Sequence, residues 1–428
     1  MTPQEKQLRD LISRCKNVQI NKENAQLFID DFNAYQAEWD STRDNDYKYN
    51  HIIELVAESY LILNDYDNAF NIAEKGMEKI EQDYPDYAPF AKSHLYEILA
   101  RCYAHRHDLA SATECFRKKA YYDMFVFNTS YPRKDFYSFR DATTYSLADL
   151  RNLTVSLAPV SSFNDPVDTA LFPWVDKILS DEHISEEDTI YYKAMRAAYA
   201  GYKCRCFVSN SPLPSWTDGK KPPYDTIPPY LNTLMWAHYA NYHKGFCVVY
   251  NIPSSVTKVD TKAKSYTTMT QIRYIPSMPF SNEISFTDAF FTKSSRWEYE
   301  HEVRMLYYKA DDKREYPTIS LQDKPVLTHP DGTLEYSLGS KEPQFPIKAV
   351  YIGLRCSKEH QDEILDIMSK YPHVPVYKIK VSESDIYSLD CELISGGKPD
   401  LSAEEEQNTT ISKCYLCRII DWMKNKLC

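Results

Sequence analysis

The 428-residue chain is long enough for two or three domains with a sizeable core. Its composition, 43% hydrophobic and 26% charged with a formal charge of −11, is that of an ordinary soluble protein and lacks the basic footprint of a nucleic-acid binder. No stretch approaches ~20 uninterrupted apolar residues, which excludes a transmembrane helix.

The N-terminus, M-T-P-Q-E-K-Q-L-R-D, is too polar for a signal peptide. Eleven cysteines, an odd number without the spacing of a secreted framework, point to a reducing cytoplasm and mostly free thiols. Tyrosine stands out at 35 residues against 9 glycines, and its flat apolar ring with a polar tip suits core edges and binding surfaces.

Residues 1–130 carry helical periodicity. Two stretches correspond, A-E-S-Y-L-I-L-N-D-Y-D-N-A-F (57–70) and A-R-C-Y-A-H-R-H-D-L-A-S-A-T (100–113). Ala57 matches Ala100, Tyr60 matches Tyr103 and Ala69 matches Ala112, each pair 43 residues apart. Small residues at these positions let antiparallel helices approach closely. The pattern resembles the tetratricopeptide repeat, whose usual period is ~34 residues, and implies a helical-repeat domain that binds a protein or peptide partner. A plain helical bundle is the alternative.

From 131 to 395 the chain turns aromatic, β-branched and proline-punctuated, and a mixed α/β domain is expected. F-Y-S-F-R (136–140) and L-T-V-S-L-A (153–158) read as strands, and residues 185–200 as a helix. After a proline-rich loop at 211–223, M-W-A-H-Y-A reads as a short helix turning at Lys244-Gly245 into a buried strand, Phe246 to Tyr250. Val303 to Tyr308 reads as another strand. A hairpin turning at Pro330-Asp331-Gly332 follows, and then a β-α-β unit of strand 349–354, helix 359–370 and strand 374–381. Residues 396–428 form a polar linker and a short amphipathic helix with Arg418, Lys424 and Lys426, expected to dock on the body of the protein. The expected fold is thus α+β and multidomain.

The ordered segments F-Y-S-F-R, S-S-F-N-D-P-V-D (161–168), M-W-A-H-Y-A, H-K-G-F-C-V-V-Y (243–250), F-T-K-S-S-R-W-E-Y-E-H-E-V-R (291–304) and I-K-A-V-Y-I-G-L (347–354) resemble a widespread bacterial domain of unknown function. That family is recognised by N-D-P-F-D and W-x-H-Y signatures, and the resemblance covers about residues 135–390. The chain departs at Val167, where the family usually has phenylalanine.

Within these segments Arg140, His238, Lys244, Glu300 and Glu302 are polar residues set among apolar ones. The Glu300-His301-Glu302-Val303 segment is similar to the Glu-x-Glu by which many ADP-ribosyltransferases present a carboxylate to NAD. The resemblance implies that Glu302 holds a ribose hydroxyl and stabilises developing positive charge, with Glu300 as general base. It further implies Arg140 as a phosphate clamp, Tyr239 or Trp297 stacked on nicotinamide, and His238 at the ribose, with Lys244 in the same pocket. The Ser-Thr-Ser element of those enzymes has only a poor counterpart at Ser265-Tyr266-Thr267-Thr268.

Two other readings stand beside this one. His238, His243, Glu300 and Glu302 could hold a cation for hydrolysis, but the histidines are five apart instead of four, and no metal is expected. Alternatively the chain is a non-enzymatic scaffold in which helical repeats accompany a ligand-binding module. Nucleic acid is a minor option, through Y-P-R-K-D-F-Y (131–137). A sensor-plus-effector layout with NAD as co-substrate fits bacterial stress response or phage defence. Because Glu300 and Glu302 crowd like charges, Glu302→Gln is expected to cost little stability.

Overall fold

The structure, a computed structural model, describes residues 20–39, 47–83, 89–125, 135–163, 165, 167–209, 228–257, 259–260, 265–278, 280, 284–309, 312–325, 327–336 and 340–397. The proline-rich loop, Asn164, Pro166 and the expected C-terminal helix lie outside the described residues.

The chain begins with helices α1 (Ala25–Trp39), α2 (Tyr47–Ile62), α3 (Tyr66–Asp83), α4 (Pro89–His105) and α5 (Leu109–Phe125). Helices α2–α3 and α4–α5 form two hairpins with matching turns. Asn64 and His107 take left-handed φ of 60° and 56°. Each turn closes through the same bond, from Asp65 N to Tyr60 O at 2.8 Å and from Asp108 N to Tyr103 O at 2.9 Å. Asp65 and Asp108 then cap the next helix by accepting from Asn68 N (3.2 Å) and Ser111 N (3.0 Å). Ala57, Ala69, Ala100 and Ala112 are wholly buried, as the small-residue pattern requires.

The second part opens with β1 (Asp135–Arg140), α6 (Thr144–Asn152), β2 (Thr154–Ser156), β3 (Ala158–Pro159), α7 (Leu171–Leu179), α8 (Glu186–Tyr199) and β4 (Lys203–Ser209). It continues through α9 (Thr233–Tyr239), β5 (Phe246–Asn251), β6 (Val259–Asp260), β7 (Ser265–Gln271), β8 (Arg273–Ile275), α10 (Phe286–Phe291), β9 (Thr292–Ser294) and β10 (Glu302–Lys309). The remaining elements are β11 (Thr318–Ser320), β12 (Leu327–Thr328), β13 (Leu334–Glu335), β14 (Ile347–Ile352), α11 (Lys358–Ser369), β15 (Val376–Val381) and β16 (Leu389–Ser395). The fold is α+β, as expected: a helical region followed by a mixed sheet.

The main sheet runs β16-β15-β14-β5-β1-β4-β10-β7-β6, with β3 also against β4. All its pairings are antiparallel except β14–β15, which α11 connects in parallel. Strand alternation gives the sheet two faces. One carries Phe136, Phe207, Phe246, Val303 and Met305 in a core shared with residues of α6 and α11. The other carries Tyr137, Phe139, Val208 and Cys247 beneath Met235 and Trp236 of α9. Further along that second face, Leu306, Tyr308 and Tyr266 enter one core with the N-terminal helices, α7, α8 and α10. Apolar packing is therefore continuous across the composition change near residue 130. Hydrogen bonds reinforce it, from Tyr202 Oη to Ala120 O at 2.6 Å and from Arg101 Nη1 to Asp188 Oδ1 at 2.6 Å.

Gly245 does not make the turn assigned to it. Asn241, Tyr242 and His243 make it, with φ of 46°, 54° and 70°. Gly245 instead permits a close approach, because a Cβ there would overlap the Arg140 carbonyl.

Candidate active site

Strand β10 places Glu302 and Arg304 on one face, opposite Val208 and Cys206 of β4. Glu300 is not part of that strand. It ends a 3-10 turn, Ser295–Glu300, and His301 at φ 44° reverses the backbone before β10 begins. This reversal returns Glu300 to the side of Glu302. Strand β9 contributes Lys293, and the segment before α7 contributes Asp168.

These five side chains form one buried network. Arg304, with no exposed surface, donates from Nε to Glu302 Oε1 at 2.8 Å and from Nη1 to Phe290 O at 2.7 Å. Its Nη2 reaches both oxygens of Asp168, at 3.1 and 3.0 Å. Lys293 Nζ donates to Glu300 Oε2 at 2.8 Å and to Glu302 Oε2 at 3.2 Å, and lies 3.3 Å from Asp168 Oδ2. The ammonium thus occupies the space between three carboxylates, where a metal ion would otherwise have to sit. Among the described residues no group of three or more His, Cys, Asp or Glu is arranged to hold a metal. Tyr239 Oη donates to Glu300 Oε1 in a short hydrogen bond.

Three carboxylates facing two cations leave one negative charge, and the two glutamates experience it differently. Burial pushes the Glu302 carboxyl up, but Arg304 and Lys293 outweigh burial and hold it at about 2. Burial also raises Glu300, Glu302 adds to that rise, and Lys293 and Tyr239 only partly offset it. Burial alone would lower the Lys293 ammonium, yet Glu302, Asp168 and Glu300 keep it well above its ordinary value. Cys206, raised by its bond to Cys204 and by burial, is a neutral thiol and not a ready nucleophile. Glu302 is therefore a fixed anion, and Glu300 is the carboxyl whose proton affinity is raised.

Both glutamates open into a cleft of about 350 Å³ whose lining also includes Tyr137, Phe139, Phe163, His238 and Tyr239. His238 is exposed at the rim, its ring 6.1 Å from those of Tyr239 and Trp297. Trp297 is half-buried with Lys293 Nζ 4.9 Å from its ring centroid. Of the residues expected to cooperate, Glu300, Glu302, His238, Tyr239 and Trp297 are thus brought together.

Arg140 is not. With Phe136 and Ser138 it lies on the opposite face of the sheet from Glu302, where it is ion-paired to the buried Asp149. Asp149 in turn accepts from Thr154 Oγ1 (2.9 Å) and from Ser156 N and Oγ (2.9 and 2.8 Å), so the pair ties β1 to α6 and β2. Lys244 is exposed in the turn after α9 and does not line the cleft.

The family model of a protein of unknown function (DUF2971) matches residues 235–305. No curated protein and no solved structure matches the chain. The DUF2971 segment runs from α9 into β10 and so contains Tyr239, Lys293, Glu300, Glu302 and Arg304. Asp168 joins the network from outside it. Asp168 and Lys293 were missed as site residues although both stand in the quoted segments. The available signal was charge beside apolar residues: Asp168 follows Val167, and Lys293 follows Phe290-Phe291-Thr292.

A larger groove of about 760 Å³ lies between the helical hairpins and α7–α8, lined by Tyr66, Glu97, Arg101, Asp188 and Tyr191 among others. It is separate from the Glu300 cleft.

Proposed function

We propose that the Glu300–Glu302 cleft is the active site of an NAD-consuming enzyme that moves ADP-ribose to an acceptor or to water. In the step envisaged, the bond between the ribose C1′ and the nicotinamide nitrogen breaks, and nicotinamide leaves with the electron pair. A nucleophile then bonds to C1′ and loses its proton to Glu300. Positive charge develops on the ribose as the bond lengthens, and a preorganised negative network beside it lowers the barrier. Glu302, held ionised by Arg304 and Lys293, supplies that charge without needing to reorganise. His238, Tyr239 and Trp297 offer flat faces for the nicotinamide ring.

One observation carries the reading: two carboxylates at one cleft with their proton affinities driven apart, the raised one bonded to a tyrosine and a lysine. Such a separation assigns an anion and an acid–base group. We further propose that the tetratricopeptide-like hairpins, with the groove beside them, recognise a protein partner that controls or receives the reaction.

The test is release of nicotinamide from NAD by the purified full chain, with and without cell lysate. Release without lysate identifies hydrolysis, and release that requires lysate protein identifies transfer. Absence of release in both conditions would sink the enzymatic reading and leave a binding scaffold.

A further inference from the structure

Strands β1 and β4 pair only at Phe136–Ser209 and Tyr137–Val208. Beyond Tyr137 they separate, and β3 takes over the β4 edge at Ala158–Cys204 and Pro159–Lys203. Continued in the same register, Arg140 of β1 and Arg205 of β4 face one another across this split. Strand alternation puts both on the sheet face that carries Phe136, Phe207 and Phe246, away from Glu300 and Glu302.

The charges on that face do not balance. Asp149 supplies the carboxylate of the cluster and pairs with Arg140. Thr154 Oγ1 and Ser156 N and Oγ take up its remaining lone pairs. Arg205 donates through Nη2 to the neutral Ser138 Oγ, and its Nε is buried without an acceptor. No carboxylate among the described residues pairs with it. The Tyr250 hydroxyl, on the same face of β5 and within electrostatic reach of both arginines, is also buried and unbonded. Two guanidiniums against one carboxylate leave a single positive charge, set among phenylalanines where an uncompensated ion is costly. Burial and Arg140 lower Arg205 only to about 10, so that charge persists at neutral pH.

We propose that the split between β1 and β4 is a binding site for one small monovalent inorganic anion of the halide class, chloride above all, held by Arg205 Nε with the Tyr250 hydroxyl as second donor. One negative charge cancels the surplus. A phosphate dianion would overshoot it and would carry a larger desolvation cost into the same apolar surroundings. The anion joins β4 to the β1–β5 side where the backbone ladder stops, so its role is to close the sheet. The site lies on the far face from the Glu300 cleft and is independent of the function proposed there.

The experiment is thermal unfolding of the full chain in sodium chloride, sodium bromide or sodium gluconate, with chloride and bromide varied against gluconate at fixed ionic strength. Wild type, Arg205→Met and Tyr250→Phe are compared, and wild-type crystals grown in bromide are examined for anomalous scattering. Wild type should melt higher in either halide than in gluconate, by an equal increment for each tenfold rise in halide above its dissociation constant. Arg205→Met, which removes the surplus charge, should lose that increment, and Tyr250→Phe should need more halide to reach it. Bromide should appear bonded to Arg205 Nε. Where Arg205→Met does not fold, the bromide position and Tyr250→Phe decide. Equal melting in halide and gluconate, the same increment in a folded Arg205→Met, or no bromide at Arg205 would overturn the proposal. None of these outcomes bears on NAD cleavage at the other face.

Discussion

Arg304 grips Glu302 through both Nε and Nη2, each 2.8 Å from Oε1, at a place where neither residue is more than 3% exposed. This relationship overturns the idea of a solvated acidic face from which a charge could be removed cheaply. Breaking one side of a buried ion pair strands the other charge and typically costs about 3–5 kcal/mol. Glu302→Gln is therefore expected to lower the urea midpoint clearly at pH 7, and an unchanged midpoint would contradict the network. The pH dependence follows from the depressed carboxyl. Its stabilisation is complete above the ordinary value of 4.5 and is lost as pH falls through about 2. The gap between wild type and Glu302→Gln should close over that acid range.

Glu300 has the opposite sign. Its folded value is raised by burial and by Glu302, so its contribution is full below the ordinary 4.5 and declines as pH rises through the raised value. Glu300→Gln, which cannot ionise, should gain stability relative to wild type as pH is raised from 4 to 7.5. Unfolding midpoints at the two pH values check this, and a shift in the other direction would remove Glu300 as the site's titrating group.

Arg140 belongs to the scaffold. Arg140→Met should destabilise the protein by about 3 kcal/mol, since it leaves the Asp149 carboxylate buried without its cation. Phosphate affinity, normalised to folded protein, should remain within a few-fold of wild type. A selective loss of phosphate binding without loss of stability would instead make Arg140 a ligand residue.

Much of the fold was legible where local pattern and turn chemistry agree. The β1 segment, α8, the α9-to-β5 passage and the β14–α11–β15 unit all lie within a few residues of their expected places. The hairpin around Gly332, at φ 84°, was signalled by Pro-Asp-Gly. Strand order was not legible, because β1 lies between β5 and β4 through contacts no local pattern encodes. That non-local register also explains the candidate site. Only the β1–β4–β10 pairing reveals that Arg140 lies on the far face from Glu302. Glu300 stands beside Glu302 through the left-handed His301 that follows the 3-10 turn, a backbone feature that the Glu-x-Glu spacing does not encode.

The most direct test of the central claim is the single-turnover rate of nicotinamide release at saturating NAD, with Glu300→Gln measured beside wild type. Removing a general base typically costs 10²–10⁴-fold in rate. A loss of about that size in a variant that stays folded and keeps its ADP-ribose affinity is the predicted result. Release by Glu300→Gln at the wild-type rate would place the chemistry elsewhere.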